Sequence, residues 1–203
     1  MFNKLKLILG TVKAAFSKGK NYITDDNTEI EIDDKQIKIK NYVFSPPADA
    51  NTIIFPEETE SVNFDFSPAL LILKNGKQFF VTAEKKEALK AFAEKNRITE
   101  NALTDVWELI LEPFVDTEYS AEHQQNTYKC LSEFGFNKHE VDQIRGKVAG
   151  IMFPYNFSTG LWDWCSLGYY DLCLAHKAAL SERKFIVFYN WSASITKRVI
   201  NRA

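Results

Sequence analysis

The sequence predicts an α+β protein in which an antiparallel β-roll or barrel with a closing helix is followed by an all-α bundle of about five helices. Apolar residues alternate one-in-two up to Thr82 and recur every three or four afterwards, so the local period changes from that of strands to that of helices. Asn75-Gly76, between two apolar runs, is the strongest hairpin signal in the chain. The 203 residues are 45% hydrophobic and 26% charged, enough to bury one large core or two small ones. Three segments are expected: a basic amphipathic helix at 1–20, a β domain at 21–98 and a helical domain at 99–203.

Residues 1–20 carry Lys4, Lys6, Lys13, Lys18 and Lys20 and no acidic residue, a charge of +5 against −7 for the remainder. Phe2, Leu5, Leu9, Val12 and Phe16 recur at gaps of three and four, so a helix here has one apolar stripe bordered by lysines. Such a helix can lie on an anionic membrane surface, or dock on the protein's own core or on a second copy of the chain, and these readings stand together. Lys13 interrupts the apolar stretch and no small-residue cleavage site follows, which argues against a secretory signal.

Six strands are expected between residues 28 and 82. Glu29-Ile30-Glu31-Ile32 and Ile37-Lys38-Ile39-Lys40 alternate isoleucine with charge across an Asp33-Asp34 turn. Pro46-Pro47 forbids a ladder and marks a loop before Thr52-Ile53-Ile54-Phe55. Val62-Asn63-Phe64-Asp65-Phe66 alternates, whereas Leu70-Leu71-Ile72-Leu73 and Phe79-Phe80-Val81 are continuous apolar runs that indicate deeper burial. Asn75 and Gly76 both tolerate the positive φ of a type I′ turn. Thr82 is placed as the N-cap of a helix with Leu89, Phe92 and Ala93 inward.

Lys74-Asn75-Gly76-Lys77 between two apolar strands, with 84–96 as the closing helix, resembles a small bacterial pleckstrin-homology-like domain over residues 28–96. The resemblance implies a curled antiparallel sheet capped by one helix. It does not carry lipid-binding residues with it. The first hairpin loop here is Asp33-Asp34-Lys35, whose carboxylates repel a phosphate headgroup, and Phe92 stands where the family's closing helix usually has tryptophan.

Residues 96–101 are polar and lack periodicity, which sets the expected boundary. Leu103, Val106, Trp107, Ile110, Leu111 and Phe114 form the first helical stripe, ending near Pro113. Ser120 caps a second helix with Thr127, Leu131 and Phe134 inward and Gly135 at its stop. Asn137 and Glu140 have capping-box spacing ahead of Val141, Ile144, Val148 and Ile151. Residues 161–180 are apolar around most of a helix's circumference and are expected at the bundle centre. A last helix from Glu182 turns Phe185, Phe188, Ile195 and Val199 inward, with a strand over 185–189 as the alternative.

Candidate chemistry is sparse. No G-x-S-x-G, H-E-x-x-H or GK[ST] motif is present. Cys173 and His176 have ligand spacing but lack two further ligands, so no metal and no cofactor is expected. The odd set of Cys130, Cys165 and Cys173 is read as buried thiols in a reducing, cytoplasmic compartment. His123 and His139 are expected in solvent. Asp163 and Asp171 lie about 80° apart on a helix and do not converge as an acid–base pair, while Arg145 is placed to pair with either. Tyr155, Trp162, Asp163 and Trp164 flank a Ser-Thr-Gly turn, which makes an aromatic anchor for a partner or the filling of the bundle centre. Together with Arg145 and His176 these are the candidate binding residues.

The net charge of −2 argues against nucleic acid. The leading expectation is a non-catalytic bacterial interaction protein engaging a protein partner, with peripheral attachment to an anionic membrane through 1–20 left open. The alternatives are a small hydrolase-like enzyme with a site between the domains, using Asp163, Asp171, His176 or Arg145, and a toxin-neutralising binding protein.

Overall fold

The computed structural model describes residues 27–45, 50–115, 120–159 and 166–200. Three strands, β1 (Glu29–Ile32), β2 (Ile37–Lys40) and β3 (Thr52–Ile54), form one antiparallel sheet in that order. A second sheet has the order β6-β5-β4-β7, built from β4 (Thr59–Asn63), β5 (Ala69–Leu73), β6 (Gln78–Val81) and β7 (Thr99–Glu100). Helix α1 (Lys86–Asn96) leads into β7, which pairs parallel to β4. Five helices follow: α2 (Val106–Leu111), α3 (Ala121–Glu133), α4 (Lys138–Thr159), α5 (Tyr169–Ala179) and α6 (Glu182–Ile200). The chain is α+β, its first six strands antiparallel, with the parallel β7 added after α1 and the remaining helices following.

The alternation in β1 and β2 works as the period requires. Ile30 stands opposite Ile39 and both are buried, while Lys40 Nζ reaches Glu29 and Glu31 at 3.7 and 3.8 Å on the wet face. All residues of β5 and β6 are buried, as continuous apolar runs demand. The intervening loop departs from expectation. Only Gly76 takes positive φ (+82°), its N–H donates to the Leu73 carbonyl at 2.7 Å, and Asn75 instead accepts the Lys77 N–H through Oδ1. The connection is thus a longer loop with glycine in the left-handed position rather than a type I′ turn. Strand β4 ends earlier than its alternation suggested because Asn63 Oδ1 captures the Asp65 N–H at 2.8 Å and turns the chain out of the ladder.

Helix starts differ from the sequence reading where another group takes the cap. Thr82 makes no side-chain cap bond, and α1 begins at Lys86 after a 3-10 turn over Ala83–Lys85. Ser120 caps α3 by accepting the His123 N–H, and Gly135 closes its end at φ +80°. Asn137 accepts the Glu140 N–H at 3.0 Å, but the Glu140 carboxylate is drawn to Arg198, so the reciprocal half of a capping box is replaced by an ion pair. Helix α4 continues through Pro154 to Thr159, so Tyr155 and Asn156 are helical and not part of a turn. Helix α5 starts only at Tyr169, with Gly168 as its N-cap; its central, buried placement is as expected, with Leu172, Cys173, Ala175 and His176 inward. Residues 182–200 are helical throughout, which removes the strand alternative at 185–189.

Buried residues from both halves form one contiguous cluster. Its seam is aromatic. Phe44 lies parallel to Tyr189 at 6.1 Å, Phe80 meets Tyr169 and Tyr170 at 5.1 Å each, and the Tyr189 hydroxyl donates to the Gln78 carbonyl at 2.8 Å.

Candidate functional site

Of the residues singled out from sequence, Arg145, Tyr155 and His176 are buried and Asp171 is half-buried. Arg145, 8% exposed, donates from Nε to the Ile110 carbonyl at 3.0 Å and from its second arm to the Leu109 carbonyl at 3.1 Å. It therefore caps the carboxy-terminal end of α2 and does not bond the Asp171 carboxylate. Asp171 accepts instead from the Gly168 N–H at 3.0 Å and from the Tyr155 hydroxyl at 3.3 Å. Burial raises the Asp171 pKa, and it pushes Tyr155 up as well, reinforced by the Asp171 charge. His176 is 2% exposed and lies flat on Phe188 with ring centres 3.7 Å apart, its Nδ1 2.8 Å from the Leu172 carbonyl. Burial lowers its pKa to about 4, so it is neutral at pH 7. Trp162, Asp163 and Trp164, like Lys4, Lys6, Lys13, Lys18 and Lys20, lie outside the described residues.

The cysteine reading needs one correction. Cys173 is buried and burial holds its thiol well above the ordinary value, but Cys130 is exposed on α3. No cluster of three metal-ligating side chains occurs among the described residues. His123 reaches the Glu112 carboxylate at 2.7 Å from an exposed position, and the exposed His139 contacts Gln143 at 3.1 Å.

A residue not selected from the sequence organises this interior. Asp105 is 7% exposed; its Oδ1 accepts the Trp107 N–H at 3.0 Å and its Oδ2 accepts the Tyr169 N–H at 2.8 Å. One carboxylate thus serves the amino-terminal ends of α2 and α5 together. Burial raises its pKa to about 7 against the pull of both N–H bonds, with the charges of Glu108 and Asp171 adding to the rise. A Cβ on Gly168 would fall 2.8 Å from Asp105 Oδ2, so the close approach of α5 depends on glycine there. Asp105 with Glu108 three residues on, just before an apolar run, is a capping signature legible in the sequence.

The open space lies elsewhere. A cleft of about 460 Å³ runs between the β5–β6 hairpin and α6. Phe44, Phe79, Ile186 and Tyr189 supply apolar walls, and Asn75, Lys77, Gln78, Asn190, Ser194 and Lys197 supply polar ones. Among the described residues its lining contains no carboxylate, histidine or cysteine. Lys197 Nζ sits directly above Gly76, where a Cβ would come within 1.8 Å of it, and it makes no ion pair among the described residues. Gln78 is 2% exposed, and neither its amide nitrogen nor its amide oxygen has a hydrogen-bond partner among the described residues. Each such orphan costs roughly 1–3 kcal/mol. A smaller hollow of about 360 Å³ between α4 and α6 is already spoken for, with Lys147 3.5 Å above the Trp191 ring and Arg198 bound to Glu140.

Sequence reasoning missed the cleft because its members come from positions over a hundred residues apart, on a hairpin loop and the last helix. Only the hairpin side, Asn75, Gly76, Lys77 and Phe79, carried a signal of its own. Comparison with protein-family models, with curated proteins and with solved structures found no match. No helix among the described residues is long and apolar enough to cross a membrane.

Proposed function

We propose that this chain is a non-catalytic binding protein that works through the cleft between the β5–β6 hairpin and α6. The observation that carries this reading is the composition of that cleft: lysines, amides and hydroxyls on aromatic walls, with no carboxylate, histidine or thiol among its described lining residues. The groups offered by the enzyme alternative support the same reading. Arg145, Asp171 and His176 are each engaged in helix capping or ring stacking, and none lines the cleft. The test is a fragment screen followed by amide chemical shifts. Joint shifts of Gly76, Gln78, Asn190 and Ala193, with every fragment recovered unchanged, support binding. Hits that collect around Tyr155 and Asp171, or that are chemically converted, reverse it.

The succession of a three-stranded sheet, a three-stranded meander and helix α1 favours the pleckstrin-homology-like reading of residues 28–96. The Asp33-Asp34 loop directs the reading away from a phosphoinositide site in the first hairpin. Asp33 Oδ1 accepts the Lys35 and Gln36 N–H groups at 2.8 and 3.0 Å, and Asp34 pairs with Lys95, so the loop presents carboxylates held by the protein itself.

Peripheral membrane attachment is a second reading, favoured by the +5 charge of residues 1–20. Sedimentation with phosphatidylserine vesicles, with and without those residues, tests it. Equal binding of the two forms removes it.

A further inference from the structure

We infer that the cleft between the β5–β6 hairpin and α6 receives a small organic anion, its carboxylate or phosphate against Lys197 and its apolar part on Phe44 and Tyr189. The inference rests on the binding reading above and adds the ligand class. Both charged residues among the described lining residues, Lys77 and Lys197, are cations. Lys197 is half-buried with its ammonium drawn over Gly76, and no ion pair among the described residues engages it. An anion entering the cleft supplies that partner at reduced screening.

The rest of the lining narrows the ligand. Gln78 shares a face of β6 with Phe80, whose ring packs on Tyr169 and Tyr170, so this is the face turned toward the helices. Its amide nitrogen and oxygen are buried and unmatched among the described residues. Phe44 and Tyr189 then give an aromatic or branched aliphatic body a flat wall. The cleft volume of about 460 Å³ is in the range of small-molecule sites.

N-acetylphenylalanine, its neutral carboxamide and phenyl phosphate are the probes, titrated at millimolar concentration into the full chain and followed by amide shifts. The acid and the phosphate are expected to shift Gly76, Gln78 and Asn190, and the comparison between them separates a carboxylate from a phosphate preference. The carboxamide is expected to bind at least about tenfold more weakly, the loss for one charge-assisted hydrogen bond. Lys197→Gln should bring the acid down to the carboxamide's affinity, and Lys197→Arg should restore it. Lys77→Gln, on an exposed loop, serves if Lys197→Gln lowers folding. Equal affinity for acid and carboxamide, unchanged in Lys197→Gln, overturns the anion inference while leaving a binding cleft in place. Neutral fragments that shift these amides while both anions leave them still do the same. Absence of any ligand at these amides overturns the binding reading itself.

Discussion

Asp105 ties the starts of α2 and α5 together, and its ionisation sets what that tie contributes. The folded carboxyl titrates at about 7 against an ordinary 3.8. The folded chain therefore keeps a proton that the unfolded chain begins to release near pH 4, and the stability contributed by this group falls as pH rises, levelling off above 7. About two pH units separate pH 5 from the folded value at roughly 1.4 kcal/mol each, so the group lowers stability by about 3 kcal/mol between pH 5 and pH 8. His176 has the opposite sign. Its folded pKa of about 4 lies below the ordinary 6.5, so protonation of the unfolded chain lowers stability as pH falls from 6.5 toward 4. The two effects overlap, and the whole-protein curve isolates neither. The difference between the parent and Asp105→Asn does, because His176 and Asp171 are common to both. Asparagine keeps one acceptor for the Trp107 N–H and turns a donor toward the Tyr169 N–H, a penalty that does not vary with pH. Urea unfolding at pH 5, 6, 7 and 8, followed by tryptophan fluorescence, should show the stability gap moving about 3 kcal/mol in the variant's favour across that range. Parallel curves for the two proteins would refute a carboxyl titrating near 7 at this joint.

Three further perturbations test the same interior. His176→Gln should lose the acid-side weakness, so that parent and variant converge by about 3 kcal/mol between pH 6.5 and 4.5, read from urea midpoints; a constant gap would mean that His176 is not held neutral. Arg145→Lys should cost about 1–3 kcal/mol, because one ammonium cannot reproduce the two-armed contact with the Leu109 and Ile110 carbonyls. Thermal unfolding measures it, and a lysine variant equal to the parent would remove Arg145 as the cap of α2. Gly168→Ala places a Cβ 2.8 Å from Asp105 Oδ2 and 3.8 Å from Glu108 Cγ and should destabilise by about 1–3 kcal/mol in urea, whereas an unchanged midpoint would show that α5 can draw back from Asp105.

Period and burial made the elements legible. All six expected strands before Thr82 are present, and the stripe Leu103, Val106, Trp107, Ile110, Leu111 and Phe114 is buried along its whole length. Element starts were less legible, since they depend on which of several polar groups takes a free N–H. Thr82 read as a cap and makes no cap bond, while Asp105 had the spacing of one and caps two helices. The β7 strand is two exposed residues that pair with β4 only because α1 returns the chain alongside it, so no apolar signal marks it. The cleft is a juxtaposition of a turn and a distant helix, and neither piece has a pattern that points to the other.

The cleft and the joint between the two layers share side chains, which links occupancy to folding. Phe44 belongs to the β layer and Tyr189 to α6, and both their mutual stacking and the cleft wall depend on the layers staying together. The Tyr189 hydroxyl further fastens α6 to the Gln78 carbonyl, on the residue whose amide is left unmatched in the same region. An occupant resting on Phe44 and Tyr189 contacts both layers at once, so separating them requires releasing it. By mass action an occupant at a hundredfold excess over its Kd stabilises the folded chain by about 2.7 kcal/mol. Ligation here therefore acts on the whole aromatic seam and not on a peripheral loop. The exposed part of that coupling is the hairpin loop, Asn75 and Lys77, while its strands and the helices are anchored from within by Leu71, Phe80, Tyr169, Phe185 and Trp107.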